Sequence, residues 1–133
     1  MKANSICIVD DDPIFVYGTK VLLNHNKDIA NDILVYENGK EALDSLSAMV
    51  EDGDNLPDII FLDLNMPVMD GWRFLEAFIK IPIDKMPLVF IATSSIDEDD
   101  KLKAKQYPIV KEFLTKPLSE SLLRELIEKY NYS

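Results

Sequence analysis

Short apolar runs alternate along the chain with stretches whose apolar positions recur every three or four residues. Residues 5–9 form the first run, cut off by Asp10, Asp11 and Asp12, and predict a buried strand. Asp12-Pro13 then provides a helix cap followed by proline at the first helical position, where a missing N–H is harmless. Ile14, Val16, Tyr17, Val21, Leu22 and Leu23 continue as an apolar stripe to about His25. Residues 32–36 predict a second strand, Asn38-Gly39 a turn, and Ala42, Leu43, Leu46, Met49 and Val50 a second helix that ends in 52–55. Ile59, Ile60, Phe61 and Leu62 stand in an unbroken row within 57–63, as in a strand covered on both faces. Trp72, Phe74, Leu75, Phe78 and Ile79 mark a third helix opened by Asp70-Gly71. A fourth strand over 88–92, a polar fourth helix over 97–105, a fifth strand over 109–114 and a last helix capped by Ser119 complete the pattern.

Strands alternating with helices in this way predict an α/β domain: a parallel sheet with helices on both faces. In such sheets the working residues lie just outside the carboxyl ends of the strands. That rule selects Asp10, Asp11 and Asp12 after the first strand, Asp63 after the third, Thr93 to Ser95 after the fourth and Lys116 after the fifth.

The chain has 133 residues, which suits one domain spanning 1–133. Acidic residues number 24 against 14 basic ones, a formal charge of −10. Such a surface repels a phosphate backbone, so no nucleic-acid partner is expected. A single cysteine allows no intramolecular disulfide and suits a reducing cytoplasm, and no apolar run approaches the length of a membrane span. Cys7 lies in an apolar strand and reads as a small hydrophobe. His25, the one histidine, falls near a helix C-terminus, where a cation is favourable, and not in a metal or phosphotransfer site. Trp72 reads as helix packing near Met66-Pro67, and the acidic run 97–100 as a solvated helix start.

Asp10, Asp11 and Asp63 would bring three carboxylates together, which stay ionised only beside positive charge. Mg²⁺ is the natural counter-ion, since it favours one or two carboxylates with waters and phosphate oxygens. Adding Lys116 brings the site near neutrality, ready for an incoming phosphoryl group, and Thr93 offers it a hydroxyl donor. A carboxylate such as Asp63 can serve as nucleophile and form an acyl phosphate.

The same residues carry a resemblance. Val9-Asp10-Asp11-Asp12 resembles the acidic pair of response-regulator receiver domains of two-component signalling. Phe61-Leu62-Asp63-Leu64-Asn65-Met66-Pro67-Val68-Met69-Asp70-Gly71 resembles their phosphoacceptor strand and loop. Thr93-Ser94 matches the switch hydroxyl and a small residue, with Ser94 the less favoured alternative because 87–93 is one residue longer than the usual spacing. Lys116-Pro117 matches the lysine and proline of the family, and Phe113 stands where the family has a rotating aromatic. The likeness covers about residues 4–130.

What the resemblance implies is a stand-alone regulator similar to those of chemotaxis, with no output domain. Its fold would be the doubly wound, flavodoxin-like (βα)5 arrangement with strand order 2-1-3-4-5. Asp63 would take a phosphoryl group from a phosphohistidine on a sensor histidine kinase or a histidine phosphotransfer protein. Asp11, Asp63 and the backbone carbonyl of Asn65 would hold Mg²⁺, with Asp10 helping through water. Lys116 would pair with the phosphoryl group, Thr93 would move toward it and Phe113 would turn inward. The face made by the fourth helix, fifth strand and fifth helix would then engage a downstream protein or the group would pass on in a relay. Asn65 and Ser95 would tune dephosphorylation. A monomer or weak dimer in the cytoplasm is expected, without membrane attachment. The catalysis expected is self-directed, namely phosphorylation of Asp63 and its reversal by water, with no turnover of a free substrate.

Three other readings compete. A receiver fold that has lost phosphotransfer would bind partners regardless of phosphorylation, but Asp63, Lys116 and the acidic pair are intact. A phosphatase of the haloacid dehalogenase class wants a second aspartate two residues after the nucleophile, where this chain has Asn65. A flavodoxin-like electron carrier would need a Ser/Thr-rich phosphate loop after the first strand.

Overall fold

The computed structural model describes residues 3–95 and 97–130. The expected domain 1–133 also includes residues 1, 2, 96 and 131–133, which lie outside the described residues. The elements run β1 (Ala3–Val9), α1 (Pro13–His25), β2 (Ala30–Tyr36), α2 (Gly39–Asp52), β3 (Ile59–Leu62), α3 (Gly71–Phe78), β4 (Leu88–Thr93), α4 (Glu98–Ala104), β5 (Val110–Thr115) and α5 (Glu120–Lys129).

All four strand pairings are parallel and the sheet order is β2-β1-β3-β4-β5. Alternation along the strands separates two cores. Ile6, Ile8, Ile59, Phe61, Phe90 and Ala92 point to one face, where Phe15 and Leu23 of α1 and Leu123, Leu126 and Ile127 of α5 cover them. Cys7, Val9, Ile60, Leu62 and Val89 point to the other, under Ala42 and Leu46 of α2 and Phe74, Leu75 and Phe78 of α3. The thiol of Cys7 is fully buried there, and burial pushes its pKa far above the ordinary range. The hydrophobic reading of Cys7 holds.

Each helix begins on a side chain that accepts an otherwise orphaned backbone N–H. Asp12 caps α1 by accepting from Ile14 and Phe15, Asp70 caps α3, Asp97 caps α4 and Ser119 caps α5. Asn38-Gly39 differs from the expected turn. Asn38 accepts from the Glu41 N–H and is itself the cap, so Gly39 is the first residue of α2. A Cβ at Gly39 would lie 2.8 Å from the Met69 carbonyl oxygen, which explains the glycine. β2 starts two residues earlier than its apolar run because Ala30 already pairs with Ala3. α4 is confined to seven residues, as its scarcity of large apolar side chains allows.

Candidate functional site

The carboxyl ends of β1, β3, β4 and β5 bring the selected residues together. Val9 and Leu62 are partners in the sheet, so Asp10 and Asp63 leave neighbouring strands side by side. The Asp63 N–H donates to the Val9 carbonyl at 3.0 Å, which fixes their relative height. One carboxylate oxygen from each of Asp10, Asp11 and Asp63 lies within 4.8 Å of the others. Asp10 and Asp63 are 2% and 6% exposed, whereas Asp11 faces solvent.

Lys116 enters from the segment after β5, held there by its N–H bond to the Thr93 carbonyl at 2.9 Å. The Lys116-Pro117 peptide is cis. Its ammonium lies 2.8 Å from Asp10, 3.6 Å from Asp63 and 3.7 Å from Asp12, and 4.6 Å above the Phe15 ring. Burial alone would lower the Lys116 pKa, but Asp10, Asp63 and Asp12 outweigh it and the net shift is upward. Burial pushes the Asp10 carboxyl up to about 6, the Asp63 charge adds to the rise, and Lys116 and the Asp12 N–H oppose it. Asp12, selected by the strand-end rule and read from the sequence as a cap or a supporting acid, is both: its second carboxylate oxygen faces Lys116.

The hydrogen bonds leave one gap. Asp10 Oδ1 accepts from the Asp12 N–H and Asp63 Oδ1 from the Leu64 N–H, both at 2.9 Å. Asp10 Oδ2 is buried, and among the described residues its close polar contact is the 2.8 Å ion pair with Lys116, without the angle of a good hydrogen bond. An under-satisfied buried oxygen, an all-oxygen donor set and an excess of negative charge fit a hard divalent cation.

The loop after Asp63 is pinned at both ends. The Gly71 N–H donates to the Leu64 carbonyl at 3.0 Å, and a Cβ at Gly71 would stand 2.4 Å from the Asp63 carbonyl oxygen. Between them Asn65 is exposed and Val68 has φ 68°, with the Met69 N–H bonded to the Pro67 carbonyl across it at 2.7 Å. That is a γ-turn of the strained hand, on a β-branched residue.

Thr93 is buried at the end of β4, and its hydroxyl oxygen accepts the Ser95 N–H at 3.2 Å. Ser94, the alternative switch residue, is exposed. Phe113 is half-buried against Leu64, Ile91 and Ala104, beside Trp72. Trp72 stacks on Tyr107 at 5.8 Å and has the Lys103 ammonium 4.7 Å over its ring, so it packs α3 against α4. His25 ends α1, as the sequence suggested. No helix among the described residues is long and apolar enough to cross a membrane.

The model of the response regulator receiver domain family matches residues 6–128. Sporulation initiation phosphotransferase F of Bacillus subtilis is 31% identical over 98% of this chain and 95% of its own length. The sensor histidine kinase CheAY of Helicobacter pylori is 30% identical over 77% of this chain, a stretch that is 12% of the kinase. The chain spans only 12% to 58% of the length of five such curated relatives. The crystal structure of a two component response regulator from Cytophaga hutchinsonii has a TM-score of 0.86 at 27% identity, covering 97% of both chains.

Proposed function

The chain belongs to the response regulator receiver domain family, and we propose that it acts as one receiver domain that accepts a phosphoryl group on Asp63. The observation that carries this reading is the buried Asp63 carboxylate set between two further carboxylates and the Lys116 ammonium. A carboxylate oxygen of Asp63 attacks phosphorus, the bond to the donor's imidazole nitrogen breaks, and the imidazole leaves with its electron pair and takes up a proton. An acyl phosphate remains on Asp63.

Asp10, Asp11 and Asp63, with the backbone carbonyl of Asn65, are the groups that would hold Mg²⁺, which when bound supplies neutralising charge for the phosphoryl oxygens. Lys116 pairs with the phosphoryl group on the opposite side. Thr93 donates its hydroxyl to a phosphoryl oxygen, and Phe113 moves deeper against Leu64 and Ile91 as the β4–α4 loop rearranges. The donor is the phosphohistidine of a sensor histidine kinase or histidine phosphotransfer protein in the cytoplasm. The relative from Bacillus subtilis carries the word phosphotransferase in its name, which supports a relay role beside that of a switch acting through the α4-β5-α5 face.

Intact-protein mass spectrometry after incubation with acetyl phosphate and Mg²⁺ tests the reading. One added phosphoryl group is expected, absent from Asp63→Asn and from a metal-free sample. An unmodified protein that also shows no spectral response to beryllofluoride would overturn it.

A further inference from the structure

The hydroxyl expected to serve the phosphoryl group is already engaged. Thr93 Oγ1 accepts the Ser95 N–H at 3.2 Å, and among the described residues it makes no hydrogen bond to Asp63. Ser95 is in turn fixed from α4: its hydroxyl donates to Asp100 Oδ2 at 3.0 Å and accepts the Asp97 N–H at 3.3 Å. Asp97 is the cap of the same helix, accepting from the Asp99 N–H at 2.9 Å. A short chain of bonds therefore runs from the Thr93 side chain to the first turn of α4. Ser95 and Asp100 are both partly buried, which limits the competition from water that weakens exposed hydrogen bonds.

From this chain we infer that Asp100 is a positioning residue: through Ser95 it parks the Thr93 hydroxyl on the Ser95 amide and sets the cost of releasing it. The inference rests on the phosphoryl-acceptor reading above for its consequence, not for its geometry. An acceptor bond fixes Thr93 in one side-chain well. For the hydroxyl to turn toward an oxygen on Asp63 it must leave the Ser95 amide, and where the 93–95 segment shifts to release it, the Ser95–Asp100 bond must break or carry α4 along. Loss of the Asp100 carboxylate should therefore make ligation at Asp63 easier.

The test compares Asp100→Ala, Asp100→Asn and Asp99→Ala with the unaltered protein by NMR. Asp100→Asn keeps a carbonyl that accepts from the Ser95 hydroxyl. Asp99→Ala removes an exposed neighbouring charge near the same helix end without touching Ser95. The first readout, without any ligand, is hydrogen exchange at the Ser95 amide. It should quicken roughly fivefold in Asp100→Ala, the worth of one ordinary hydrogen bond, and stay near the unaltered rate in the other two. The second is titration with beryllofluoride and Mg²⁺, which should bind roughly fivefold more tightly to Asp100→Ala alone. Equal exchange and equal affinity in Asp100→Ala and Asp99→Ala would overturn the inference, as would an Asp100→Asn that behaves like Asp100→Ala. If the unaltered protein takes up no beryllofluoride, the phosphoryl-acceptor reading fails, and the amide exchange still decides whether Asp100 positions Thr93.

Discussion

The Lys116 ammonium sits 2.8 Å from the Asp10 carboxylate. Asp63 has only the longer contact of 3.6 Å with the same group. The strongest pairing in the site thus spares the oxygen that is to act as nucleophile, and Lys116 has less than an ångström to travel when Asp63 becomes more negative. Removing the ammonium leaves two buried carboxylates without their cation. Lys116→Ala should lose about 3 kcal/mol of stability in metal-free urea unfolding. Added Mg²⁺ should recover part of that loss, and acetyl phosphate should modify the variant at least about tenfold more slowly. Unchanged unfolding would mean that Lys116 is not the counter-charge of this site.

Asp10 gives the site a dependence on pH. Its carboxyl is raised to about 6, chiefly by burial. The folded protein therefore holds this proton across pH values at which the unfolded chain has released it. That contribution to stability is fully present below the unfolded value near 4 and is lost as pH rises through about 6. Asp10→Asn should accordingly be more stable than the unaltered protein at pH 7.5 without metal, by about 2 kcal/mol once screening at the site mouth is allowed for. Mg²⁺ has the opposite preference, since it needs the charged form, and its affinity should fall as pH drops from 7.5 to 5. Calorimetric titration at the two values checks this; equal affinities would contradict it.

Gly71 admits no side chain. A Cβ there would meet the Asp63 carbonyl oxygen at 2.4 Å and the Leu64 Cα at 3.0 Å, both backbone atoms of the site itself. Gly71→Ala should cost about 2 kcal/mol by pushing these apart, and its phosphorylation by acetyl phosphate should slow more than that of an equally destabilised core variant. Urea unfolding and mass spectrometry on both proteins provide the comparison.

Val68 is 74% exposed and holds φ 68°. It forfeits little packing if replaced, and glycine accepts that backbone without the clash of a branched Cβ. Val68→Gly should gain about 1 kcal/mol in chemical denaturation, less the entropy of a freer unfolded chain. A loss of stability would show that the valine makes contacts worth more than its strain.

Much of this architecture is written locally in the chain. Unbroken apolar rows such as Ile59 to Leu62 mark strands covered on both faces, and the strand-end rule alone gathers Asp10, Asp63, Thr93 and Lys116. What escapes such reading are partners distant in the chain. Arg124 of α5 bonds to Asp28 and Asn26 across the α1–β2 turn, and Tyr107 donates to Glu76 on α3, with nothing in either local sequence to announce the pair. Asn38-Gly39 misleads in the other direction, since the same dipeptide suits a turn and a capped helix start, and the close approach of the Met69 carbonyl decides between them. The Ser95–Asp100 bond is near in sequence, yet its meaning depends on Thr93 being held from the far side of the same serine.

The burial of Cys7 has a practical corollary. The chain's one thiol is sealed inside the sheet and held in its unreactive protonated form. A cysteine introduced on the outer face of α4 would then be the single position open to maleimide reagents in the folded protein. Spin labels or fluorophores could be placed there without first stripping the native sulfur from the core.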